Sequence, residues 1–141
     1  MQEVKIKLVE EGVAPKKTHE TDAAWDLTVR EMEIKDDKVF YKLGFRMEIP
    51  QGYVGKIFPR SSIHKMRIRL SNNVGIIDPE FRGEVGAVFD IISESGKIYG
   101  IGERCCQMRI EKTPDIKFVL TDKELSQSER GEGGYGSTGN K

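Results

Sequence analysis

Cysteine, histidine and net charge are scarce in this chain, and each shortage excludes something. Its two cysteines, Cys105 and Cys106, are neighbours. Adjacent residues of a strand point to opposite faces, so an ordinary disulfide between them is not expected. They have no C-x-x-C spacing, which argues against a metal site. They read as reduced strand residues of a cytoplasmic protein. The two histidines, His19 and His64, have no evident triad partners. The formal net charge is zero although 33% of the residues are charged. Long nucleic acid and anionic membrane are therefore poor partners, while a small anion in a local site remains possible. No apolar run is long enough to span a bilayer, and no signal-peptide pattern opens the chain.

What the chain does have is alternation. Val4, Ile6 and Leu8 alternate with lysines, and Leu43, Phe45, Met47 and Ile49 with Gly44, Arg46 and Glu48. The period returns at Val85, Ala87, Phe89 and Ile91, at Cys106, Met108 and Ile110, and at Ile116, Phe118 and Leu120. Period two marks half-buried strands. Turn signals at Asp36-Asp37, Pro50-Gln51-Gly52, Ser95-Gly96 and Thr113-Pro114-Asp115 separate the runs. With 141 residues this predicts a single all-β domain, a sandwich, jelly roll or barrel. One short helix is expected around Ser62 to Arg67, and a capped turn at Thr121-x-x-Glu124. From about Ser126 onward Tyr135 is the sole large apolar residue, too little to fold alone. The expected division is a β core over 1–125 and a mobile arm over 126–141.

Several blocks carry chemistry. The arm reads RGEGGYGSTG from Arg130 to Gly139. Glycine backbones can turn successive N–H groups onto one anion, Arg130 adds a forked donor, Ser137 and Thr138 add hydroxyls, and Tyr135 can lie on a base. PRSSI, Pro59 to Ile63, follows an apparent strand Tyr53 to Phe58. Arg60, Ser61 and Ser62 at a helix start suit a phosphate, and the plainer reading is a helix cap. Asp78 ends an apolar Ile76-Ile77 strand, after the hairpin-like Asn72-Asn73-Val74-Gly75. It is a candidate general base, or the opener of an Asp-Pro turn with Pro79. Asp26 in DAAWDL, Asp22 to Leu27, can help hold a magnesium, or is a solvated acid at a strand end. In GERCCQM, Gln107 can donate to phosphate, and Glu103 and Arg104 read as an ion pair.

Taken in order, DAAWDL, PRSSI, LSNNVGIIDPEFRGEVG, GERCCQM and RGEGGYGSTG closely resemble the motifs of the trimeric dUTP pyrophosphatase (dUTPase) family, from about Asp22 to the end. The resemblance implies a jelly-roll homotrimer with sites shared between subunits, and hydrolysis of dUTP to dUMP and pyrophosphate. Asp78 matches the acid that activates the attacking water. Arg60, Ser61, Ser62 and Gln107 match phosphate binders. Asn72, with the backbone through Gly75, Ile76 and Ile77, matches the uracil pocket, and Phe81 the ring under the deoxyribose. Arg130, Ser137 and Thr138 match the γ-phosphate clamp, and Tyr135 the ring stacked on uracil. Asp26 matches the acid that reaches Mg2+ through water.

Ala24 and Trp25 stand where the family more often has Gly and Tyr, Phe81 where it has Tyr, Tyr135 where it has Phe, and Pro79 is less typical. None removes a needed chemical group. A dCTP deaminase-like enzyme shares related RSS and IDP stretches, but its glutamate would fall on Val88, which moves no proton. A non-catalytic nucleotide-sensing trimer would be favoured by loss of Asp78 or Arg130, and both are present.

Overall fold

The computed structural model describes residues 1–141. The strands are β1 (Lys5–Leu8), β2 (Trp25–Thr28), β3 (Glu31–Lys35), β4 (Lys38–Lys42), β5 (Phe45–Glu48), β6 (Tyr53–Pro59), β7 (Ile68–Leu70), β8 (Gly75–Ile77), β9 (Gly86–Ile91) and β10 (Arg104–Lys112). Two four-stranded sheets, ordered β2-β10-β6-β8 and β3-β4-β9-β7, enclose the core, and β1 pairs with β5 in a separate ribbon. All strand pairs are antiparallel. The expected all-β jelly-roll architecture is what forms.

Alternation decides which side chains go in. In β4, Val39 and Tyr41 are buried while Phe40 and Lys42 face out. In β9, Ala87 and Phe89 are buried. Tyr41 meets Phe89 edge to face at 5.4 Å, and its hydroxyl donates to the Tyr99 carbonyl at 2.7 Å. A ring such as Phe89, with no exposed area, contributes about 2 kcal/mol by burial. The β3–β4 turn sits at Asp36 and Asp37, both with positive φ, 51° and 58°. That pairing of left-handed residues matches the twist of a two-residue hairpin.

Two local expectations fail. Ile116, Phe118 and Leu120 form no strand, and they are 68%, 93% and 100% exposed. Their alternation is real, but nothing in this chain lies beside them to accept it. The turn expected at Thr121 is present, with Lys123 N–H donating to its hydroxyl at 3.1 Å. The Asn72–Gly75 stretch is not a hairpin loop within one sheet. β7 pairs with β9 and β8 with β6, so this loop carries the chain from one sheet to the other. The expected short helix does form, as a 3-10 turn over Ser61–Lys65.

Two polar clusters tie the corners. Arg30 grips Glu84 with two bonds, Nε to Oε1 at 2.7 Å and Nη2 to Oε2 at 2.9 Å. The Gly44 N–H also donates to Glu84 Oε1 at 3.1 Å. Hydrogen bonding to Arg30 holds the Glu84 carboxyl below its usual range. Asp90 accepts from Lys38 at 2.5 Å and from Ser71 at 2.7 Å. Those bonds pull its carboxyl down to about 2.

Both folded-state values lie below the unfolded ones, roughly 4 for such acids. Their contribution to stability is therefore complete above about pH 5 and is lost as pH falls towards about 2. Thermal unfolding followed from neutral to acid pH checks this. Asp90→Asn should lower the melting temperature at neutral pH, and the gap to the wild type should narrow below about pH 3.

Candidate active site

The first group of site residues collects around β10. This strand lies between β2 and β6, so one β10 residue faces a partner on each side. Gln107 is opposite Asp26 on β2 and Phe58 on β6. That alignment depends on a β-bulge. Arg104 pairs with Thr28, yet Cys106 pairs with Leu27, so Cys105 is an extra residue. Without the insertion Cys106 would stand opposite Asp26. Bulges re-aim side chains in this way.

The bulge also corrects the reading of the cysteines. They do not point to opposite faces, because both are fully buried with sulfurs 3.6 Å apart. They remain free thiols. The hydrogen bond with Cys105, then burial, pushes the Cys106 thiol well above its ordinary value. A thiol held protonated in the core is a poor nucleophile.

Asp26, Arg60, Ser61 and Gln107 line one cleft of about 550 Å³, beside Asp22, Phe58 and Arg109. β6 delivers Arg60 to it and stops at Pro59, and Arg60 keeps an extended backbone before the 3-10 turn. Gln107 spends one amide hydrogen on the Pro59 carbonyl at 2.9 Å, which leaves another for a ligand. Asp26 lies 2.9 Å from Arg104 Nη1 and 3.5 Å from Arg60 Nε. The expected Glu103–Arg104 ion pair is absent: Glu103 accepts from the Gly100 N–H at 2.9 Å, and Arg104 turns to Asp26. Ser62 stands outside the lining, with its hydroxyl 3.4 Å from the hydroxyl of the buried Tyr99.

The second group flanks β8. Asn72 and Gly75 line a recess of about 290 Å³ with Ile57, Leu70 and Val88. Asn73 takes a positive φ of 60°, and Val74 N–H donates to the Asn72 carbonyl at 2.6 Å. A Cβ on Gly75 would sit 3.1 Å from Ile57 Cβ, so the close approach of β8 to β6 requires little side chain there. Ile76, Ile77, Asp78 and Phe81 line an adjoining recess of about 210 Å³, and Gly86 borders both. Asp78 is exposed just past β8, and its carbonyl accepts from Phe81 N–H at 3.1 Å in a tight turn.

The third group stays apart. Arg130 Nε donates to the Gly133 carbonyl at 2.6 Å, and Ser137 N–H to the Gly134 carbonyl at 3.0 Å. Gly131, Tyr135, Gly136 and Gly139 all have positive φ. Tyr135 is fully exposed, and no residue from Arg130 to Thr138 lines any of the three hollows. The sequence reading missed Arg109 in the cleft and paired Arg104 with Glu103 rather than Asp26, because the bulge after Arg104 hides which face that residue takes.

A jelly roll whose cleft sets two arginines, a serine hydroxyl and an amide beside two carboxylates, with separate small recesses at a sheet edge, has donors suited to a phosphorylated ligand. The dUTPase family profile matches residues 10–139, and the chain belongs to the dUTPase family. The deoxyuridine 5'-triphosphate nucleotidohydrolase of Crocosphaera subtropica is 36% identical over 140 residues, spanning 95% of this chain and 96% of that one. Its counterpart in Paramecium bursaria Chlorella virus 1 is 33% identical over 137 residues, 94% of each. A Staphylococcus bacteriophage 80alpha dUTPase, solved with dUpNHpp, matches the fold with a TM-score of 0.84 at 24% identity, over 99% of this chain and 100% of that one. The dUTPase of S. aureus phage phi11, described with a structural Mg(II) ion, matches with a TM-score of 0.72 at 20% identity, over 86% and 98%. The activity that membership carries is the hydrolysis of dUTP.

Proposed function

We propose that the three groups of residues form one catalytic site only when subunits assemble as a homotrimer, with Asp78 as the base. Water attacks the α-phosphorus, its proton passes to the Asp78 carboxylate, and the bond from α-phosphorus to the bridging oxygen breaks. Pyrophosphate leaves in line. Arg60, Ser61, Ser62 and Gln107 hold the phosphates, since oriented cations and donors stabilise the charge that builds on the leaving group. The recess at Asn72 and Gly75 takes uracil, whose edge the backbone through Ile76 and Ile77 reads. Phe81 lies under the deoxyribose. Arg130, Ser137 and Thr138 close on the γ-phosphate while Tyr135 covers the base, and water is excluded.

Mg2+ belongs to this reading. No cluster of three or more His, Cys, Asp or Glu residues offers a protein cage, and the phosphate cleft has Asp26 as its central carboxylate, already engaged by two arginines. That donor set fits an ion carried by the phosphates and touched by Asp26 through water, the habit of Mg2+ at triphosphates. Bound there, the ion would offset phosphate charge.

The observation that carries the proposal is the separation of the groups. In one chain the phosphate cleft, the recesses beside Asp78 and the arm share no lining residue. The row Ile116, Phe118 and Leu120 is exposed directly before the arm, a surface that a neighbouring subunit would cover. We assign residues 126–141 as the arm and 1–125 as the core on the same ground. No helix is long and apolar enough to cross a membrane. With two free thiols, this reading assigns the protein to the cytoplasm.

Pyrophosphate release with dUTP, beside dCTP and dTTP, tests the reading. Asp78→Asn should cut turnover by at least ~100-fold and keep binding of a non-hydrolysable dUTP analogue. Near-normal turnover by that variant would remove Asp78 as the base. Deleting residues 130–141 should cripple turnover and leave thermal unfolding of the β core unchanged. In the intact protein, amide exchange in the arm should slow when the analogue and Mg2+ bind, because ordering its glycines must be offset by new contacts. Equal exchange with and without ligand would contradict the closing role.

A further inference from the structure

Arg104 touches Asp26 and Arg60, two of the four charged residues of the phosphate cleft, without lining the cleft itself. Its side chain holds the acid: Nη1 donates to Asp26 Oδ2 at 2.9 Å and to Thr18 Oγ1 at 3.1 Å. Its main chain holds the cation: the Arg104 carbonyl accepts from Arg60 Nη1 at 3.1 Å. The bulge that begins just after Arg104 is what separates its register from that of Gln107.

The distances set up a competition. Asp26 faces two guanidiniums, and the nearer is Arg104 at 2.9 Å, with Arg60 Nε at 3.5 Å. A carboxylate with one close partner has less pull on a second. Were Arg104 absent, the Asp26 charge would be compensated by Arg60 alone. The Arg60 guanidinium would then close on Asp26 and turn its donors away from the cleft.

We propose that Arg104 is a positioning residue for recognition of the triphosphate chain: it occupies Asp26 and braces Arg60, so that the Arg60 guanidinium stays available to phosphate oxygens. This rests on the reading of that cleft as the phosphate site. Lysine keeps the charge, but its compact ammonium does not reproduce the planar guanidinium whose Nη1 donates to both Asp26 and Thr18, so it restores the function only in part.

Binding rather than turnover tests it, by calorimetry with Mg2+ present, using a non-hydrolysable dUTP analogue and deoxyuridine as the two ligands. Arg104→Gln should weaken the triphosphate analogue about 10-fold and change deoxyuridine by less than about 2-fold. Arg104→Lys should fall between. In an Asp26→Asn background, Arg104→Gln should cost the triphosphate less than about 2-fold, because there is no carboxylate left to capture Arg60. The exposed Arg104–Asp26 pair contributes little to folding, so the melting temperature of Arg104→Gln should stay near that of the wild type.

No loss in Arg104→Gln, equal loss for both ligands, or the same loss with and without the Asp26 carboxylate would each overturn the proposal. Arg60→Gln serves as the reference. If Arg60→Gln leaves triphosphate binding intact, the phosphate-cleft reading itself fails. If Arg60→Gln weakens binding and Arg104→Gln does not, only the positioning role fails.

Discussion

One inserted residue in the central strand aligns the chemistry of this protein. β10 pairs with β2 on one side and β6 on the other, and the bulge at Cys105 shifts its register against β2 alone. The shift sets Gln107 opposite Asp26, while its other neighbour is Phe58, two residues before Arg60. It also drives both cysteines into the core, where their side chains serve packing. A regular ladder would place Cys106 opposite Asp26. The arrangement of the proposed phosphate cleft is thus a consequence of strand pairing.

The proposed sharing of the site between subunits follows from the same economy. Small recesses form where β8 meets β6 and where the following turn carries Asp78, and both lie apart from the phosphate cleft. A nucleoside triphosphate is long, and its base, sugar and phosphates need different walls. A small β domain can supply each wall at a different edge, and assembly can then bring edges together. In the proposed site the arm adds the last wall, when ligand is present. Its glycines and exposed Tyr135 suit a segment whose order comes from what it covers.

Much of this was legible in the residues. Alternation at Val85 to Ile91 and at Phe45 to Ile49 identified core strands, since burying one face of a pleat requires it. Arg60, Ser61, Gln107 and Asp26 were recognisable by residue type, and they do share a cleft. What misled was geometry that periodicity cannot encode. The bulge broke the alternation at Cys105-Cys106 and hid the Arg104–Asp26 pair. The Asn72–Gly75 loop looked like a hairpin because its turn residues are right, although the strands it joins belong to different sheets. Ile116, Phe118 and Leu120 alternate like a buried strand, yet the surface that would bury them is absent from the single chain. A pattern of burial says that a face will be covered, not by which chain.

That last point makes the shared site the central claim, and mixing subunits tests it most directly. Chains carrying Asp78→Asn are combined with chains lacking residues 130–141, unfolded and refolded together so that subunits exchange. Each parent alone should be nearly inactive. The mixture should release pyrophosphate from dUTP well above the sum of its parents, because an intact Asp78 and an intact arm can then meet in one site. A mixture shown by mass to contain hybrid trimers, yet no more active than its parents, would contradict the account.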